Sequence, residues 1–322
     1  MPTIDECMKQ YLRVVKSARS ANTATAYGYG LQKFATTLRD NKLDPRTSSI
    51  DSLTEEHVAL FIDDLKGLKA ISESNYLTAT MGFYKFLGSE NIKQFNYPRI
   101  ESMIKFRKRK PEARMIQIPE DEMNEVLKLI DGIIEQPFEN DRDKMIAYRD
   151  RAFLFTLADT GFRVSEICGL TVGGVDFKKK RALIIGKGNK QAFVMMSVRA
   201  IRAIEDYLGV RSDIDNVYYK RIPSAYIFAR HDKGKPKDAT QMKGSTARKF
   251  ITGRRIEELL EHKPTLRITP HTWRHFFVTR FVRKKGLETA RKLARHENIQ
   301  TTQRYTHLTD DEIEADYRDV VD

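Results

Sequence analysis

Cysteine is scarce in this chain: Cys7 and Cys168 are the only two among 322 residues. Two thiols make neither a disulfide framework nor a cluster of metal ligands. No stretch approaches the roughly 18 unbroken apolar residues that a membrane span needs. The opening MPTIDECMKQ is acidic and lacks the apolar core of a secretory signal. Internal repeats and low-complexity tracts are also missing. These absences fit a protein of the reducing cytoplasm, and the length suffices for two ordinary domains.

What is abundant is positive charge. Lys and Arg outnumber Asp and Glu by 57 to 44, a formal net charge of +13. Such an excess favours a polyanionic partner, because each neutralised phosphate releases condensed counterions. The same charge would also serve a merely solvated surface. Its distribution is uneven: Lys105, Arg107, Lys108, Arg109 and Lys110 form a dense run ending at Pro111, whereas Asp310 to Asp322 is acidic. A basic body with an acidic tail suggests DNA for the first and a protein partner for the second.

Before the basic run, apolar residues recur at spacings of three and four, and nothing alternates with period two. Thr23 or Thr25 is placed to cap a helix carrying Tyr27, Leu31, Phe34 and Leu38. Leu53 and Thr54, followed by Glu55 and Glu56, open another, with Val58, Phe61, Ile62 and Leu65 on one face. A third runs through Tyr76, Met81, Phe83, Tyr84, Phe86 and Leu87. Residues 1–104 therefore read as a compact helical domain. Residues 105–117 read as an exposed basic linker, either a solvated charge run or a strap along a DNA backbone.

A second domain, 118–322, begins at the helix start Ile118-Pro119-Glu120. Arg149 to Leu157 reads as a buried helix. Arg181-Ala-Leu-Ile-Ile and Ala192-Phe-Val-Met-Met read as two strands around a Gly-containing turn. Ser197 to Leu208 is helical again, Tyr226-Ile-Phe is a candidate short strand, and the pattern from Thr269 onward is helical. The expected class is mainly α with a small antiparallel β-sheet.

Four places concentrate polar residues beyond structural need. The first is Thr160-Gly-Phe-Arg163-Val-Ser-Glu166, where Ser165 is a candidate cap and Arg163 precedes it, free to project into a cleft. Taken alone, this passage also reads as a helix-turn-helix. The second is the turn Gly186-Lys187-Gly188-Asn189-Lys190, which lacks the spacing of a phosphate-binding P-loop. It reads as a plain surface hairpin or as a cationic finger for a phosphate oxygen. The third is Thr269-Pro270-His271-Thr-Trp-Arg274-His275. Thr269 is a natural N-cap and Pro270 a natural first helical residue, so His271 and Arg274 share one face at the positive end of a helix dipole. His271 and His275 have metal-pair spacing, but no third ligand accompanies them. The fourth is Arg295-His296 followed, nine residues after the histidine, by Tyr305. By itself Tyr305 reads as ordinary helix packing.

Together the four places resemble the tyrosine recombinase (phage integrase) family. That family carries an Arg in T-G-x-R-x-S-E, a Lys in a strand turn, H-x-x-R, a late His and a nucleophilic Tyr. Here Arg163, Lys187, His271, Arg274, His296 and Tyr305 occur in that order. The resemblance covers nearly the whole chain, including Arg149-Asp-Arg-Ala, Thr25-Ala-Tyr27 and Phe34. Two positions depart from it: Trp273 stands where Leu is usual, and Arg295 where Gly is usual. Lys190 competes with Lys187 for the lysine's role, and the place in the turn favours Lys187.

The resemblance implies a helical core-binding (SAM-like) domain, a catalytic α+β domain, and double-stranded DNA as partner. It implies catalysis by Arg163, Lys187, His271, Arg274, His296 and Tyr305, through a 3′-phosphotyrosine and a Holliday junction, with no metal or other cofactor. Charge, rather than the resemblance, gives a DNA-contacting role to Lys105, Arg107, Lys108, Arg109, Lys110 and Lys190. In the tail, Ile313, Tyr317, Val320 and Val321 fall at helical spacing, so residues 309–322 read as an exchange helix docking on another subunit of a tetramer, or as a helix packed on its own domain. A transcription regulator would leave Tyr305 and the His271/Arg274 pair unused. A relaxing enzyme would use the same chemistry without a second duplex.

Overall fold

The spacing of Tyr27, Leu31, Phe34 and Leu38 resolves into one face of a long helix in the computed structural model of the chain. The structure describes residues 1–107, 109, 118–185, 191–231, 240–296, 298 and 302. The chain divides into two units, Met1–Arg114 and Met115–Asp322, each with its own core.

In the first unit α1 (Ile4–Ala18) opens with a capping box, in which Thr3 Oγ1 accepts the Glu6 N–H (3.2 Å) and Glu6 Oε2 accepts the Thr3 N–H (2.8 Å). Helix α2 (Ala21–Asp40) is capped by Ser20, whose Oγ accepts the Thr23 N–H at 3.2 Å. The expected caps Thr23 and Thr25 thus lie inside the first turns, where Thr25 donates to the Ala21 carbonyl at 2.9 Å. Ser20 wins because its backbone is extended and its hydroxyl faces the orphan donors. Helices α3 (Glu56–Asp64), α4 (Ala70–Ser89) and α5 (Tyr97–Arg107) complete the unit. Their inner faces bury Phe34, Phe61, Phe83 and Tyr84, with Phe34 edge-on to Phe61 at 5.0 Å.

Helix α5 reaches three residues into the expected linker, so Lys105 and Arg107 are helical and exposed. Arg109 is held on the first unit. Its Nε donates to Glu73 Oε2 at 2.7 Å, its backbone N–H to Glu73 Oε1 at 3.1 Å, and Nη2 to the Leu68 carbonyl at 2.5 Å. Glu73 is buried, and a buried carboxylate requires such a partner.

The second unit is built around α7 (Asp141–Thr160), capped by Asn140 and buried from Ala152 to Ala158. It packs against α6 (Glu120–Gly132) and against later helices. After α8 (Val164–Cys168) come β1 (Val175–Asp176), β2 (Arg181–Ile185) and β3 (Gln191–Met195), antiparallel in that order. The hairpin pairs Leu183 with Phe193 and Ile185 with Gln191, and β1 is a strand that sequence patterning missed because it is two residues long. Helix α9 (Val198–Asp215), capped by Ser197, lies against α7. Tyr226-Ile-Phe forms a single bridge from Tyr226 to Thr171 and not the expected strand. Then follow α10 (Gly244–Thr246), a π-helical segment Ala247–Arg255, α11 (Ile256–Leu260) and α12 (Pro270–Ala294).

Two glycines shape the end of this unit that matters. Gly161 closes α7 at φ 59°, and Gly286 breaks α12 at φ 78°, ψ 170°. A Cβ added at Gly161 would stand 2.5 Å from Phe277 Cδ1. Gly161→Ala should therefore cost about 2 kcal/mol or more, from the left-handed backbone and the overpacked ring together. The check is a lower urea midpoint with an unchanged slope.

Candidate active site

The functional end of the second unit is assembled around a buried arginine. Thr269 caps α12 by accepting the Thr272 N–H at 3.2 Å, and Pro270 occupies the first turn. That start places His271 in the first turn and Arg274 one step inward. Arg274 is 3% exposed; Nη1 donates to the Gly161 carbonyl at 2.6 Å and Nη2 to the Ala294 carbonyl. Twenty residues of straight helix would span about 30 Å. Arg274 reaches Ala294 because α12 breaks at Gly286 and the chain folds back.

Arg163 stands directly before α8, at its cap position. The expected cap Ser165 is instead a residue of the first turn. The reason is Glu166, whose Oε2 accepts the Arg163 N–H at 2.8 Å while Oε1 accepts Arg163 Nη1 at 2.9 Å. The Arg163 side chain remains 47% exposed, so this guanidinium faces outward from a fixed base.

Glu166 is buried and has a second cationic partner. Arg295 Nη2 donates to Glu166 Oε2 at 2.7 Å, and its guanidinium lies 5.6 Å from the Phe162 ring centre. Arg295 ends α12 in the left-handed conformation at φ 56°, ψ 44°, the place a glycine takes without strain. A side chain there costs on the order of 1–2 kcal/mol. Among the described residues, three guanidiniums, of Arg163, Arg274 and Arg295, against the single carboxylate of Glu166 leave this cluster a formal +2. The N-terminus of α12 adds its own partial positive charge.

The two histidines feel that field. His296 is 8% exposed, and its Nδ1 is 2.9 Å from the Thr302 hydroxyl. Burial, with Arg274, Arg163, Arg295 and His271 adding repulsion, pushes its pKa down to about 4. Burial first, then Arg274 and Arg163, also lowers His271. Both imidazoles are therefore neutral near pH 7, and both lie within electrostatic range of the two arginines that sequence had singled out. His271 packs edge-on against His275 at 4.2 Å. Among the described residues no group of three or more His, Cys, Asp or Glu is gathered as a metal would need.

Arg163, His271, Arg274 and His296 are thus brought together. Lys187, Lys190, Tyr305, Lys108, Lys110 and the tail 309–322 lie outside the described residues. The strands flanking the Lys187 turn are paired to their ends, Ile185 opposite Gln191. Trp273, where Leu is usual, is fully buried against Phe276 and belongs to the core. Arg149, the family-like residue upstream, is buried and binds Asp150 Oδ1 at 2.7 Å, while Arg255 binds Oδ2 at 3.1 Å. Sequence reading placed Glu166 only in a helical first turn and missed its bond to Arg295. The one signal was Arg295 itself, a large cation where glycine is usual.

Comparison with known proteins bears on the family and the fold. The model for the phage integrase family matches residues 118–312, and that for the phage integrase N-terminal SAM-like domain matches residues 8–91. The tyrosine recombinase XerC of Listeria welshimeri is 27% identical over 319 residues, covering 96% of this chain and 95% of that protein. XerC of Bacillus subtilis (strain 168) is 27% identical over 316 residues, covering 96% and 92%. The fold is similar to XerH site-specific recombinase solved with palindromic difH substrate as a post-cleavage complex, at TM-score 0.67, 20% identity and coverage of 96% and 83%. It is also similar to a lambda integrase dimer solved on a COC' core site, at TM-score 0.63, 13% identity and coverage of 96% and 79%.

The depressed histidines make stability fall with acid. An unfolded histidine takes up a proton near pH 6.5, whereas folded His296 resists until about 4. Its contribution is complete above pH 6.5 and is lost as pH falls from there toward 4, a few kcal/mol at most. Urea unfolding at pH 7.5 and pH 5 should show the loss, and His296→Gln should flatten it.

Proposed function

The chain belongs to the phage integrase family, the tyrosine recombinases, and on that premise we propose that it cuts and rejoins DNA strands through a 3′-phosphotyrosine on Tyr305. The observation that carries the reading is the cluster of Arg163, Arg274, His271 and His296 at the start of α12. It holds net positive charge around two neutral imidazoles. Such a place suits a phosphodiester, whose negative charge repels a nucleophile and concentrates in the transition state.

The chemistry follows from residue types. Tyr305 Oη attacks the phosphorus and loses its proton to His271, which a lowered pKa keeps unprotonated and able to accept. An ordinary tyrosine pKa of about 10 makes such a base necessary. Arg163 and Arg274 meet the non-bridging oxygens with planar, permanently charged forks, and His296 adds a hydrogen bond. The bond from phosphorus to the 5′ oxygen breaks, and Lys187 protonates that oxygen as it leaves. The phosphotyrosine conserves the bond energy, so a 5′ hydroxyl of a second duplex displaces Tyr305 and restores the phosphodiester. Two such exchanges pass through a Holliday junction.

Double-stranded DNA is the partner. The exposed Lys105 and Arg107 on α5, with Lys108, Lys110 and Lys190, serve its backbone. Arg109 has its guanidinium engaged by Glu73 and contributes mainly by holding the run to the first unit. The acidic tail, with Ile313, Tyr317, Val320 and Val321 on one face, docks on a neighbouring protomer in a tetramer.

Tyr305→Phe should abolish the denaturant-resistant protein–DNA band formed on a duplex nicked near the cut site, while a gel shift finds DNA affinity nearly unchanged. A variant that still rejoins strands would overturn the assignment. Ending the chain after Leu308 should damage cooperative filling of paired sites more than binding to a single site; equal losses would return the tail to its own domain.

A further inference from the structure

Arg295 combines two features that work against stability. Its backbone is held at φ 56°, where glycine is at ease, and its Nη1 is buried without a hydrogen-bond partner. A residue held at such cost next to phosphate-binding arginines calls for a reason other than packing. Its contacts supply one. The 2.7 Å bond from Nη2 to Glu166 Oε2 reaches the same carboxylate whose Oε1 holds Arg163 Nη1 at 2.9 Å.

Without the Arg295 cation, Glu166 would lean on Arg163 alone. A buried carboxylate then cancels most of the guanidinium's charge and draws it back toward α8. With Arg295 present the carboxylate is shared between two cations. Arg163 keeps an uncompensated fraction of its charge, and Glu166 is pinned from a second direction, so the base on which Arg163 stands does not swing.

We propose that Arg295 is a positioning residue for strand cleavage, acting through Glu166 to hold Arg163 aimed and electrostatically undiminished. This rests on the phosphotyrosine reading above and deepens it. The side chain at 295 does for Arg163 what a glycine there could not, and the strained backbone is what places it beneath Glu166.

The test uses the full chain and a duplex that the protein itself selects from a random-sequence pool, nicked near the cut. Single-turnover adduct formation is followed at saturating protein, beside gel-shift affinity and thermal melting. Arg295→Gly should melt no lower than the wild type, bind DNA within about twofold, and form adduct about tenfold more slowly. Arg295→Lys should recover part of the rate. In a Glu166→Gln background, Arg295→Gly should change the rate by less than twofold, because the carboxylate to be neutralised is gone. A wild-type rate in Arg295→Gly, or an undiminished tenfold loss in the Glu166→Gln background, would overturn the inference while leaving the recombinase reading intact. A wild-type protein that binds the duplex and forms no adduct would remove that reading instead.

Discussion

The guanidinium of Arg274 is almost entirely buried, and it draws three separate pieces of chain to one point. Its donors hold the carbonyl that ends α7 and the carbonyl that ends α12, from a position one turn into α12. A buried cation left without acceptors would cost several kcal/mol, so the surrounding backbone must deliver those carbonyls or the unit loses its functional end. Gly161 delivers the first by turning left-handed at the end of α7. Gly286 delivers the second by breaking α12 so that its last turn comes back beside its first.

Around that centre the charges are arranged to remain cationic. Elsewhere in the second unit arginines are matched by carboxylates: Arg149 and Arg255 share Asp150, Arg255 has Glu258 as a second partner, and Arg211 faces Asp215 and stacks on Tyr219 at 3.7 Å. Those contacts knit helices together. Near α12 cations outnumber carboxylates: among the described residues Glu166 is the one carboxylate bonded to Arg163 and Arg295. The excess is tolerable because Arg163 is half open to solvent. Burial, reinforced by the same excess, keeps His271 and His296 unprotonated, which links the electrostatics of binding to the availability of a base.

Much of this was legible in the residues. The heptad-like spacing of Leu31, Phe34 and Leu38, the cap Thr269-Pro270, and the apolar runs on either side of the Gly-containing Lys187 turn are local signals, read within one or two turns of chain. Helix ends were less secure, since several hydroxyls compete for each. Ser20 took the cap from Thr23 because a helix starts where the first extended residue offers an oxygen, and propensity does not say which that is. Tyr226-Ile-Phe has strand composition and lacks a partner beyond one bridge, because pairing is a property of two segments.

By itself the sequence determined the helical class and the two domains, because residue type and short-range spacing carry that information; it grouped Arg163, His271, Arg274 and His296 only through the resemblance to a known family. Only the tertiary structure decided that Arg109 turns back onto Glu73, that Arg274 bridges Gly161 and Ala294, and that Arg295 shares Glu166 with Arg163. Each of those contacts joins residues 20 to 129 positions apart. A side chain's partner across such a distance depends on where every intervening helix packs, and no window of residues contains that.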